Sequence, residues 1–178
     1  MNDTPNRYGV ISRAFHWLMA VLILLQFMKF FDRISDGEHW IGQTIVPTHG
    51  SLGLILLVLV VLRVLWAVKQ RGQRPVVEGA LATFAKVGHG LLYLCMILMP
   101  VTGALFVLGR GYPLRFFGTP IIPGSGTQTD WMIALGNLHS PIAWLFLLLV
   151  LGHVAAAVYH HLALKDDTLR RMLGRAAG

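Results

Sequence analysis

Cysteine is almost missing from this chain. Cys95 stands alone among 178 residues, which excludes an internal disulfide, a CxxC pair and the C-x-x-C-H signature of covalently attached haem. It lies inside an apolar run, where a single cysteine reads as a small hydrophobe on a packed helix face. Charge is scarce as well. Charged residues make up 13% of the sequence, against about a quarter in a soluble domain. Negative charge is the scarcer sign, with 8 acidic residues against 15 basic ones. In a soluble chain a net charge of +7 and a pI near 10.2 would point to nucleic acid. Here the basic residues flank apolar runs, so membrane topology accounts for them and no nucleic-acid partner is expected.

What the sequence has in abundance is hydrophobicity: 55% of residues, with a mean hydropathy of +0.63. Four runs, at residues 12–31, 48–68, 81–108 and 132–164, are long and apolar enough to cross a bilayer as helices. They predict one all-α domain, a four-helix transmembrane bundle with room for cofactors between its helices. Pro100 is expected to kink the third span. A loop covers 32–47, and a basic connector broken by Gly72 and Pro75 covers 69–80. A Gly/Pro-rich loop covers 109–131, and a charged tail begins at Lys165. The first apolar run is full length and no small-residue cleavage site follows it, so no cleavable signal peptide is expected.

The basic residues orient the spans. The N-terminal arm, the connector, the tail and the span ends beside them hold eleven basic residues against four acidic ones. The opposite side has four of each. The positive-inside rule then puts both termini in the cytoplasm.

Histidines carry the chemistry. The fourth span bears His139 and, fourteen residues on, His153. Fourteen helical steps return to within about 40° of the starting direction and rise about 21 Å, so one face presents two imidazoles at two depths. Titratable side chains are costly in hydrocarbon and mark function there. His16 lies near the inner end of the first span, at the depth of His153. His49 lies at the outer end of the second, at the depth of His139. Two imidazoles at equal depth on separate helices meet the need of a b-type haem for axial ligands on opposite faces, and filling both positions suits electron transfer. A structural zinc would gather four ligands at one point, whereas these four divide between two levels. The pattern therefore predicts an inner haem b on His16 and His153 and an outer haem b on His49 and His139. Glycines beside the ligands, namely Gly50, Gly53, Gly136 and Gly152, would leave room for a flat macrocycle or for close helix packing. His89, in the inner half of the third span, is a candidate for a propionate or quinone contact, or for replacing His16. Arg63 and His160 are further candidates for propionate or quinone contacts. His39, in the outer loop, reads as solvated.

The segments RYGVISRAFHWLMA, THGSLGLILL, GHGLLYLCMILMPVTG and LHSPIAWLFLLLVLGHVAAAVYHHLALKDDTLRRM together resemble the bacterial cytochrome b561 family, over residues 6–174. The resemblance implies a four-helix inner-membrane protein with two b haems. By position its haem ligands fall on His16, His49, His139 and His153, the same four residues that depth pairs. It also implies ubiquinone as substrate and, for some members, a superoxide oxidase activity fed from the periplasm. A positively charged outer surface would guide superoxide inward, and here the outer side sums to zero. The expected function is electron transfer between a periplasmic donor, superoxide or a redox protein, and the quinone pool. The alternative is a non-catalytic membrane-anchor cytochrome subunit that relays quinol electrons to a separate partner. A histidine-relay transporter would need a polar path, and the spans hold few polar groups besides Gln26 and Thr102.

Overall fold

A computed structural model describes residues 2–31, 39–75 and 81–175. Helix α1 (Val10–Phe27) starts after an extended Gly9 and runs without glycine or proline into a 3-10 turn at Met28–Phe31. A short helix α2 (Trp40–Thr44) and a 3-10 turn (Val46–Thr48) lead into α3 (His49–Lys69). Helix α4 (Leu81–Gly109) is the longest and contains Pro100. Strands β1 (Leu114–Phe116) and β2 (Thr119–Ile122) form an antiparallel hairpin, with Phe116 opposite Thr119. Helix α5 (Asp130–Gly136) and α6 (His139–Tyr159) follow, then a π-helical turn (His160–Leu164) and α7 (Thr168–Met172).

Four stretches are long and apolar enough to cross a membrane: Val10–Phe31, Trp40–Lys69, Ala82–Gly109 and Asp130–Leu164. All four expected spans are present, with three differences of detail. The loop expected at 32–47 is helical from Trp40, and residues 32–38 lie outside those described. The 109–131 loop contains the hairpin. The fourth span is broken at Asn137 and Leu138, so α5 and α6 are separate helices. His39 is not simply solvated, because its Nδ1 accepts the Gly42 N–H at 3.1 Å and caps α2.

Close backbone packing runs α1–α3–α4–α6, with α5 on the end of α4 away from the N-terminal arm. The α4–α5 contact is intimate. A Cβ at Gly136 would lie 2.6 Å from Phe106 Cα, and one at Gly109 would lie 2.7 Å from Met132 Cβ. Gly136 thus serves helix packing. The ends of the bundle are tied by polar contacts. Buried Asp3 accepts from Gly9 N–H (2.8 Å), Ser12 Oγ (2.9 Å) and Arg74 Nε (3.0 Å). Trp17 Nε1 donates to the Met172 carbonyl. These contacts gather the N-terminal arm, the connector after α3 and the C-terminal segment at one end. At the other end the hairpin sits on α3, where Phe117 N–H donates to Ser51 Oγ at 2.8 Å.

Between the ends lies a narrow apolar core of Met19, Ile23, Leu56, Val60, Cys95 and Phe146. Cys95 is the packed small hydrophobe expected, at 3% exposure. Phe146 stands seven residues from both His139 and His153, about two helical turns either way. The core is therefore an apolar plug midway between two levels of histidine.

Candidate cofactor site

At the level nearer the termini, one histidine lies beside two others, and each comes from a different helix. His153 on α6 faces His16 on α1 with ring centroids 6.1 Å apart, and faces His89 on α4 at 5.6 Å. His16 and His153 are half-buried, and His89 is more open. Among the described residues no ring nitrogen of these three makes a hydrogen bond to the protein. Arg63 on α3 reaches the same level. Its Nε donates to Tyr93 Oη at 3.0 Å, its guanidinium lies 5.4 Å from the Tyr93 ring centre, and Nη1 approaches Met19 Sδ at 3.9 Å. Among the described residues no carboxylate pairs with it.

At the other level, His49 opens α3 and His139 opens α6, with ring centroids 6.0 Å apart. His139 is held firmly. Its Nδ1 lies 2.9 Å from the Met99 carbonyl and 3.2 Å from Thr102 Oγ1. A carbonyl can only accept, so Nδ1 carries the proton and Nε2 keeps a free lone pair. The ring rests on α4 where Gly103 leaves a notch: a Cβ there would stand 3.1 Å from His139 Cε1. Gln26 Nε2 donates to the His49 carbonyl at 3.0 Å and packs over Gly53. Gln26 and Thr102, singled out in the sequence only as rare polar residues in the spans, thus support the two histidines of this level.

The sequence of the prokaryotic cytochrome b561 family matches residues 7–175. The chain belongs to that family. It is accordingly a b-type membrane cytochrome of bacteria, an electron-transport protein with membrane-spanning helices. It is 35% identical to "Cytochrome b561 homolog 2" of Escherichia coli (strain K12), over 98% of this chain and 95% of that one. It is 26% identical to "Probable superoxide oxidase CybB" of Yersinia pestis, over 97% of this chain and 98% of that one. At the same identity and similar coverage it also matches "Cytochrome b562" of Cereibacter sphaeroides.

The histidine geometry of this cytochrome fits the cofactor its family implies. Metal–imidazole bonds of roughly 2 Å on opposite sides of one ion put the ring centres about 6 Å apart. The His16–His153 and His49–His139 separations, 6.1 and 6.0 Å, both meet that spacing. A Cβ at Gly50 or Gly152, next in sequence to His49 and His153, would meet nothing within 4 Å. Among the described residues no three metal-ligating side chains converge on one point, as a bare metal centre would require. His160, the other candidate on α6's face, is engaged elsewhere. Its Nδ1 pairs with Asp166 Oδ2 at 2.5 Å across the π turn.

Two residues at the level nearer the termini, Tyr93 and Met19, had no role in the reading of the sequence. Tyr93 lies four residues after His89 and so shares its helix face, a signal that was available. Met19 has no such mark.

Proposed function

We propose that this cytochrome holds two b haems, one on His16 and His153 and one on His49 and His139, and moves electrons between a donor outside the membrane and the quinone pool. The observation that carries this reading is the pair of ring separations near 6 Å at two levels with an apolar plug between them. Haem bound at each level supplies one-electron transfer. The residues do the rest. Met99 and Gly103 fix the tautomer and tilt of His139, which is the usual role of the partner behind a metal-bound imidazole. The core keeps water and ions out of the space between the levels. His89, close to His153 but more open, is a neighbour of the inner haem rather than its ligand. Arg63 faces the same level as a partner for a propionate or a quinone carbonyl. His160, tied to Asp166 beyond the inner level, is the candidate quinone contact on that side.

The termini end faces the cytoplasm, because that end carries the basic excess. On this reading the outer donor is superoxide, as the name of the Yersinia pestis relative suggests for that protein. Two superoxide anions each give up one electron and leave as dioxygen. Ubiquinone takes the two electrons and two protons to become quinol. Arg110, stacked on Phe106 at 3.9 Å, and Arg115, bound to the Gly118 carbonyl, supply positive charge on the outer loop for the approach of an anion.

Single His→Ala variants at 16, 49, 89, 139 and 153, with haem counted per purified chain, test the ligand set. His16→Ala and His153→Ala should lose one haem, His49→Ala and His139→Ala the other, and His89→Ala neither. Loss of haem from His89→Ala with retention in His16→Ala would reassign the inner pair. Turnover of superoxide with a soluble quinone by the pure protein supports the enzyme. Turnover that appears only when a membrane or periplasmic partner is added supports an anchor subunit instead.

A further inference from the structure

The β1–β2 hairpin turns on a residue that a water-facing turn would not choose. Phe116 pairs with Thr119, so Phe117 and Gly118 alone make the turn. Both have positive φ, 44° and 87°. Positive φ at both turn residues is the type I′ pattern, which asparagine followed by glycine suits. A bulky phenylalanine is disfavoured there. This one gains no burial in return, since Phe117 is 58% exposed. Phe116, Ile121 and Ile122, on the strands that meet at the turn, are exposed as well. The Phe116 and Phe117 rings stand edge to face, 4.8 Å apart. An exposed apolar tip of this kind marks a surface that meets a membrane or another protein.

Two observations choose the membrane. The first is depth. Helix α3 has 21 residues, and at about 1.5 Å per residue it is just long enough for a hydrocarbon core of about 30 Å. Its first turn therefore lies at the edge of that core. Phe117 N–H donates to Ser51 Oγ in that turn at 2.8 Å, which brings the tip of the hairpin to the same depth. The second is how the turn treats its backbone. Its Phe117 N–H is taken by Ser51, and its Gly118 carbonyl accepts from Arg115 Nη1 at 2.8 Å. A turn in water can leave such groups to the solvent, whereas lipid requires that the protein satisfy them. We propose that Phe117 carries the hairpin tip into the lipid at the membrane interface, beside the start of α3, and so anchors the loop between α4 and α5 on the bilayer. The tip continues the lipid-facing surface of the spans. Its ligand is the boundary between phospholipid headgroups and acyl chains.

The experiment uses the full-length protein in vesicles of phosphatidylethanolamine and phosphatidylglycerol. In a Cys95→Ala background, Phe117→Cys and Ser125→Cys each take a nitroxide label. Power saturation then compares collisions with oxygen, which concentrates in lipid, and with a neutral nickel chelate, which stays in water. Haem per chain reports whether each variant is folded. The ratio of oxygen to nickel collisions should be several-fold higher at 117 than at 125. If Phe117→Cys does not bind haem, Ile121→Cys on the same hairpin carries the label in its place. Phe117→Asn suits the turn and lacks the ring, so in that background the ratio at Ile121→Cys should fall towards that at 125. Ratios at 117 and 121 no higher than at 125 would put the tip in water and overturn the proposal. Few collisions with either probe at 117 would mean that a partner or a second copy covers the tip, and would overturn it equally. So would a ratio at 121 that Phe117→Asn leaves unchanged.

Discussion

At the scale of single residues, one buried carboxylate ties the chain together outside the histidine levels. Asp3 is fully buried as a side chain and accepts from a backbone N–H, a hydroxyl and a guanidinium. Its own N–H donates to Gln70 Oε1, and Ser12 in turn accepts from Trp66 Nε1. One carboxylate thus joins the start of α1 to the end of α3. Asp3→Ala should cost about 2 to 3 kcal/mol, since three donors lose an acceptor and one of them is charged. A drop in thermal midpoint in detergent, with the haem spectrum unchanged below it, is the readout. The sequence showed Asp3 only as a charge in the polar arm. Its role depends on contacts 67 and 71 residues away, which no local pattern records. Asp166 makes a different point. Burial pushes its carboxyl up, but hydrogen bonds from His160 and Thr168 outweigh this and leave it below the usual 3.8. A depressed folded value stabilises above the unfolded value and is lost as pH falls through the folded one. The link across the π turn should therefore persist at neutral pH and fail only below about pH 4. Faster amide exchange in residues 160–172 under acid, absent in Asp166→Asn, would register it.

At the scale of elements, α4 is the support for the outer level. Pro100 removes one backbone N–H from its ladder, and the residues on either side of it, Met99 before and Thr102 and Gly103 after, meet His139. Any side chain at 103 pushes on the imidazole. Gly103→Val should reduce bound haem by one per chain and leave the inner one, as counted by the haem-to-protein ratio. Haem lost from both levels, or from neither, would separate α4 from this role. The four spans were legible because twenty apolar residues in a row have few alternatives. The hairpin was not. Its strands are three and four residues long and one contains Pro120, too short for any period to show. The break at Asn137 and Leu138 was equally hidden, because α5 and α6 form one hydropathic run. The break comes directly after Gly136, which lies against the Phe106 backbone, a tertiary contact. Among the glycines read as room for a cofactor, only Gly50 and Gly152 open onto space, while Gly53 and Gly136 pack against neighbours.

At the scale of the whole molecule, the direction of electron flow depends on which end faces the cytoplasm. The fold puts both termini and the connector after α3 at one end, and the hairpin at the other. The charge count, eleven basic against four acidic at the termini end and four against four at the other, turns that arrangement into an orientation through the positive-inside rule. The net difference is carried by short segments next to the spans, where the rule has most force. Residue Cys95 is buried in the core, so replacing it with alanine gives a cysteine-free chain at a cost of about 1 kcal/mol or less. In that background Ser125→Cys, on the exposed outer loop, should react in intact cells with a maleimide that does not cross membranes. Arg175→Cys, in the exposed tail, should react only after the cells are opened. The reverse pattern would invert the molecule. The level carrying His16 and His153 would then face the periplasm.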